Sequence, residues 1–249
     1  TRGASCLRLN GALRCVFRDC WFKNPVLSTD SCVHIANSPN ANTFEECAMS
    51  GSVGNGVTLG AGGGNYFRNC FIYGNTLDGV NYPAGSTFGF RLVNCVIWNN
   101  GRDGIRLAST TANGGLSNVH VRRCIIGSND AGYDINYTPS DVSAQTGTIQ
   151  WAASHLECNA YYTTGLGKMN QLPANSGDLT LTASPFTSDT DFTLNSTPGA
   201  GAAITATVCT TTLPDGNVVR MLIGANQIAS STALSSMRFW PGPRRLAAL

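Results

Sequence analysis

An all-β solenoid is the fold class this sequence predicts, and three observations predict it. Phe67 to Tyr82 (FRNCFIYGNTLDGVNY) and Leu92 to Leu107 (LVNCVIWNNGRDGIRL) share one plan: Asn-Cys, an apolar pair, Asn, then Asp-Gly before a β-type run. Cys70 and Cys95 lie 25 residues apart, as do Gly79 and Gly104, and a period of that length marks stacked structural repeats. No segment keeps the apolar period of a helix, and Gly, Asn or Pro interrupts the chain about every ten residues.

Taken in order, Ala4-Ser5-Cys6-Leu7-Arg8-Leu9 reads like the second half of a repeat beside Gly104-Ile105-Arg106-Leu107. With no initiator Met or signal peptide ahead of it, the expectation is a mature or truncated piece whose N-terminal cap lies elsewhere. Five units then align on Cys20, Cys47, Cys70, Cys95 and Cys124, which are 27, 23, 25 and 29 residues apart. The residue three before each Cys is Phe17, Phe44, Phe67, Leu92 or Val121, and two after it stands Phe22, Met49, Ile72, Ile97 or Ile126. A later strand carries Val33/Ile35, Val57/Leu59, Val80/Tyr82, Ile105/Leu107 and Tyr133/Ile135, each pair pointing inward by the period of two. Asp19, Glu46, Asn69, Asn94 and Arg123, just before each Cys, break that alternation. A one-residue left-handed corner there keeps Phe67 and Cys70 both facing the core; Asn and Asp tolerate it, Glu46 and Arg123 less well.

Three short strands per turn, in register from coil to coil, describe a parallel β-helix. Through its N-C-x-I and D/N-G-I/V-x-L elements, over about residues 4 to 136, the chain resembles the right-handed parallel β-helix repeat proteins. That family includes pectate-lyase-like enzymes, phage tailspikes and other surface proteins. The resemblance implies a right-handed solenoid of five to six coils and specifies activity hardly at all. Pectate-lyase-like members place calcium-binding Asp residues and a catalytic Arg on the outer face of the later strand. Here that face reads Arg8, His34, Thr58, Asn81, Arg106, Asp134, without the carboxylate cluster. A surface Arg106–Asp134 ion pair of ~0–1 kcal/mol is the simpler account.

The boundaries expected are coils over 1–162, a closing section over 163–227 that packs on or caps them, and a tail or arm over 228–249. Trp151 to Tyr162 reads as a sixth, degraded coil marked by Cys158, Lys168 to Asp178 as a polar loop, and Val219 to Gln227 as a final strand. A divergent end is expected of a solenoid, whose last strand edges need cover.

Charged residues are 12% of the chain and the net charge is +2, so no strong field points to nucleic acid, and Arg238, Arg244 and Arg245 are too few for such a footprint. No apolar run approaches the ~20 residues of a membrane-spanning helix. No cofactor or metal is expected. C-x-x-C does not occur, and His34, His120 and His155 form no ligand pattern. The recurring Cys column reads as small apolar packing rather than redox or metal chemistry. Cys6 and Cys32, stacked on adjacent coils in the position of Gly56, Gly79, Gly104 and Gly132, are candidates for a disulfide. Asp78 and Asp103, one coil apart, would suit the ~5–5.5 Å pair of a retaining glycosidase. The competing reading is that each Asp-Gly makes a turn, the Asp bonding its own backbone.

The outward positions after each Cys are Trp21, Ala48, Phe71, Val96 and Ile125, joined two residues on by Tyr73 and Trp98. So long an apolar stripe needs cover. The chain's own residues 185–227 could fold over it, a partner subunit could cover it, or Tyr73 and Trp98 could stack on sugar rings. The expectation taken forward is an extracellular structural or adhesive protein, a phage tail or virion component or secreted filament subunit, assembling as a homo-oligomer through that stripe. The alternatives are a polysaccharide lyase or glycoside hydrolase using Asp78 and Asp103, or a non-catalytic carbohydrate-binding β-helix.

Overall fold

The computed structural model describes residues 5–25, 31–36, 41–60, 63–83, 89–109, 119–139, 155–170, 177–189, 191–206, 209–212 and 218–221. Three short strands repeat along them. The first coil is β1 (Leu7–Asn10), β2 (Val16–Arg18) and β3 (Trp21–Lys23), and the second is β4 (Ser31–Ala36), β5 (Thr43–Glu45) and β6 (Ala48–Ser50). The third is β7 (Asn55–Leu59), β8 (Asn65–Arg68) and β9 (Phe71–Tyr73), and the fourth β10 (Val80–Tyr82), β11 (Phe90–Val93) and β12 (Val96–Trp98). The fifth is β13 (Ile105–Ser109), β14 (His120–Arg122) and β15 (Ile125–Gly127), and the sixth β16 (Tyr133–Pro139), β17 (His155–Glu157) and β18 (Ala160–Tyr162). Strands β19 (Gly167–Asn170) and β20 (Leu179–Thr180) begin and end a seventh. Beyond them come α1 (Gly201–Ala206) and an antiparallel pair, β21 (Cys209–Thr212) and β22 (Val218–Met221).

Like strands of successive coils pair in parallel, so the coils build three sheets: β1-β4-β7-β10-β13-β16-β19, β2-β5-β8-β11-β14-β17 and β3-β6-β9-β12-β15-β18-β20. This is the parallel β-helix expected, with coils ~4.8 Å apart. The left-handed corner before each Cys is present: Asp19, Glu46, Asn69, Asn94 and Arg123 all have φ between 53° and 57°. Glu46 and Arg123 hold it although their side chains do not favour it. The corner is secured by main-chain bonds to the next coil, such as Glu46 N to Arg68 O at 3.0 Å and Asn94 N to Arg122 O at 3.1 Å. Those bonds offset the ~1–2 kcal/mol that αL costs a residue with a Cβ.

Identical positions stack into ladders. Phe17, Phe44 and Phe67 lie face to face with ring centroids 4.9 and 4.8 Å apart, and Leu92, Val121 and Leu156 continue the column. Asn75, Asn100 and Asn129 form a buried amide ladder, Asn75 Nδ2 donating to Asn100 Oδ1 at 3.0 Å and Asn100 Nδ2 to Asn129 Oδ1 at 3.3 Å. An amide carries both donor and acceptor, so it can repeat along the axis with its polar atoms paired.

Several expectations need correction. The later strand of the sixth coil pairs Ile105 with Ile135 and Leu107 with Tyr137, two residues on from the Tyr133/Ile135 assignment. A slip of two keeps every side chain on its face, so alternation cannot detect it. Arg106 therefore lies beside Asn136, and Asp134 is 2% exposed, so the Arg106–Asp134 surface pair does not form. The sixth coil exists, but Cys158 takes its left-handed corner (φ 59°) and Asn159 the Cys column. The polar stretch from Lys168 includes β19, and β19 and β20 extend two of the sheets, so coiling continues to Thr180, past the expected boundary at 162. Of the expected final strand, Val219 to Met221 are in β22, while 222–227 and the 228–249 tail lie outside the described residues.

Candidate functional site

Asp78 and Asp103 both sit at the entry to the first sheet, buried. The Asp78 carboxylate accepts the Asp103 backbone N–H at 3.2 Å and two contacts from Arg102, Nε to Oδ1 at 2.6 Å and Nη2 to Oδ2 at 2.5 Å. Asp103 in turn accepts the Tyr133 N–H at 2.8 Å and Asn136 Nδ2 at 2.8 Å. Burial, then the nearby Asp78 charge, pushes the Asp103 carboxyl above its usual range, while the Tyr133 and Asn136 bonds oppose that shift. Asn55 does the same job one coil earlier, accepting the Asp78 N–H at 3.1 Å. The two carboxylates are thus rungs that tie each coil to the next. They bond the neighbouring coil's backbone rather than their own, which is how they differ from a simple Asp-Gly turn.

The Cys column is packing with weak S–H donation: Cys47, Cys70, Cys95 and Cys124 point their thiols at Phe17 O, Phe44 O, Phe67 O and Leu92 O at 3.4 to 3.6 Å. Burial raises Cys70 and Cys95 well above the usual thiol range, which removes the thiolate that redox or metal chemistry needs. In the first coil Cys20 is less enclosed. Cys6 and Cys32 form no disulfide, because their thiols turn to different carbonyls, Lys23 O at 3.3 Å and Ser50 O at 3.4 Å. Cys158 is disulfide-bonded. Among the described residues no group of three His, Cys, Asp or Glu side chains is placed to hold a metal ion.

The outward stripe on the third sheet is covered by the chain itself. Val96, Trp98 and Ile125 are fully buried against Leu181, Phe186, Phe192 and Ile204, and Phe71 and Tyr73 pack on Phe192 with ring centroids 5.3 and 4.9 Å apart. Trp98 is caged: Phe186 meets it edge-on at 4.8 Å, Tyr162 stacks on it at 5.8 Å, and its indole N–H donates to Asp189 Oδ1 at 3.0 Å. Trp21, at the far end, stays 46% exposed with Lys23 over its ring. Assembly through Val96, Trp98 and Ile125 is therefore corrected: their cover is intramolecular. Tyr73 and Trp98 are likewise occupied by aromatic neighbours.

Two groups remain after these assignments. One is the outer row of the first sheet, Arg8, His34, Thr58, Asn81, Arg106 and Asn136, aligned rung on rung, with Thr58 bonded to Ser31 and Asn55 and Asn136 bonded to Asp103 and Asn170. The other is a polar cluster at the last coils, which sequence reasoning missed: Asp134, Tyr161 and the Asp178 carboxylate are buried, and Lys168 is partly exposed beside them. The signal for it was in the columns. The Gly79–Gly104 position continues as Asp134 and Lys168, and the Cys column continues as Asn159 and Asp178.

A model described as "Right handed beta helix region" matches residues 5–149, more than half of the chain. The chain belongs to the right-handed β-helix family. The match covers the first five coils and β16 of the sixth, while β17, β18 and the covering section lie beyond it. A solved structure titled "Crystal structure of pectate lyase Pel9A" is similar at a TM-score of 0.45 and 14% identity, covering 95% of this chain. This β-helix chain spans 65% of that structure's length. No curated protein matches.

Proposed function

We propose that this β-helix is a structural, adhesive protein that works outside the cell, as a virion tail component or a secreted filament subunit. The observation that carries this reading is the outward polar row on the first sheet, Arg8, His34, Thr58, Asn81, Arg106 and Asn136. Along it Arg8 and, on adjacent coils at the ~4.8 Å pitch of the strands, Asn81 and Arg106 offer polar groups in a line, which suits contact with an extended hydroxylated polymer such as a polysaccharide. The two carboxylates that could do acid–base chemistry are engaged instead in tying coils together. The disulfide at Cys158 supports an oxidising setting.

The test pairs binding with turnover. On a polysaccharide panel the wild-type chain retains at least one polymer, the double variant Asn81→Ala/Arg106→Ala loses retention, and neither releases sugar. Sugar release that disappears in Asp78→Asn or Asp103→Asn would replace this reading with the glycosidase or lyase alternative.

A further inference from the structure

The last two coils bury charge where earlier coils bury Gly and Cys. Asp134 takes the corner held by Gly104 one coil back, and its Oδ1 accepts Asn129 Nδ2 at 3.1 Å while Thr163 Oγ1 donates to Oδ2 at 2.6 Å. Tyr133 pairs with Gly167, which sets Lys168 of β19 directly over Asp134. The Lys168 ammonium lies 4.4 Å from the Tyr161 ring centre and 3.5 Å from Asp178 Oδ2. Asp178 fills the Cys column, its Oδ1 accepting the Asn159 N–H at 2.9 Å. Among them the Tyr161 hydroxyl is fully buried and meets no partner at hydrogen-bond geometry. One cation thus faces two carboxyl groups, from β16 and from the residue ahead of β20, around a buried phenol. Asp103 lies nearby, bonded to Tyr133 N and Asn136, on the outer side of β16.

We propose that this cluster is a pH-operated latch on the closing end of the solenoid: the Asp134 carboxyl holds β19 and β20 in place when protonated and loosens them when it ionises. Protonated, Asp134 is neutral, and Lys168 serves Asp178 alone. On ionisation its proton leaves to solvent, and two carboxylates then compete for one ammonium in a site where desolvation makes the unpaired charge costly. Burial pushes Asp134 up to about 7, with the Thr163 and Asn129 bonds and the Lys168 charge opposing the shift.

The sign follows from proton affinity. The folded end holds its proton more tightly than the open end, so raising pH from the ordinary carboxyl range to about 7 favours opening, and the effect levels off above that. The movement has a route outward. Leu179 N bonds Asn159 O at 2.8 Å and Leu181 N bonds Tyr161 O at 2.7 Å, and Leu181 packs in the cluster that covers Val96 and Trp98. Loosening β20 therefore uncovers the apolar stripe at high pH and reseals it in acid. This inference is independent of what the first sheet binds.

Amide hydrogen exchange of residues 155–181, normalised for intrinsic rates, tests it. In the wild type the opening constant rises by up to about tenfold per pH unit between about pH 5 and 7 and then levels, while Asp134→Asn, which accepts from Asn129 and donates to the Thr163 hydroxyl, removes the rise. An equal rise in Asp134→Asn, or none in the wild type, overturns the latch. Should Asp134→Asn not fold, a carboxyl-carbon NMR titration of the unmodified protein decides: a midpoint near 7 coinciding with the exchange step supports the latch, and a midpoint below about 5 overturns it.

Discussion

Arg102 grips Asp78 from the next coil with two near-parallel contacts, on a carboxylate with no solvent exposure. Removing the guanidinium leaves a buried charge held only by a backbone N–H. Arg102→Ala should destabilise the chain by about 1–3 kcal/mol, below the figure for a fully buried pair because the Arg side chain is 37% exposed. Urea unfolding measures this, and Asp78→Asn with Arg102→Ala should recover part of the loss.

Gly127 lies between Trp98 and Tyr162 in the outer column of the third sheet. A Cβ there would stand 2.4 Å from Tyr162 O and 3.0 Å from Trp98 Cζ3. Gly127→Ala should part the stack and cost about 1–3 kcal/mol as overpacking. A lower thermal midpoint and changed Trp fluorescence are the expected readouts.

The Asn100 amide has all its polar atoms engaged, accepting from Asn75 and donating to Ile72 O and Asn129 Oδ1. Asn100→Ala orphans buried groups on both sides at about 1–3 kcal/mol each, so a total near 2–4 kcal/mol is expected by denaturant titration.

Phe192 touches Phe71, Tyr73 and Phe186 in the section covering the stripe. Phe192→Ala should cost about 3–5 kcal/mol and expose apolar surface. Dye binding should rise, and light scattering should show concentration-dependent association that the wild type lacks through this face.

Thiol reactivity should follow position in the solenoid. Cys6 is exposed and should react first in the native state, with Cys15 and Cys20 slower; Cys32, Cys47, Cys70, Cys95 and Cys124 are buried and should react only on unfolding. Mass spectrometry after alkylation with and without denaturant reads the order.

The Cys column, the Phe stack and the left-handed corners were legible because each recurs at one position of every coil. The register of the sixth coil was not. Ile135 and Tyr137 satisfy the period of two as well as Tyr133 and Ile135 do, and Ile135 comes 11 residues after its Cys where Val80 and Ile105 come 10 after theirs. That one slip hid Asp134 in the glycine column, and the matching slip at Cys158 hid Asn159 and Asp178 in the cysteine column. The closing cluster vanished from the sequence reading for a purely geometric reason.

By itself the sequence determined the winding, because in-register repetition of small, aromatic and Asn residues has one efficient solution, a stack of parallel coils. It also marked Trp98, Val96 and Ile125 as an outward apolar stripe in need of cover. What covers them was decided only in three dimensions, by Leu181, Phe186, Phe192 and Ile204 returning from beyond the repeats. The roles of Asp78 and Asp103 were decided there too, since the same Asp-Gly pair makes a turn, a catalytic dyad or a rung according to what the next coil places opposite it. Repeats encode contacts within their own period, whereas a contact between a repeat and a non-repeating segment has no period to betray it.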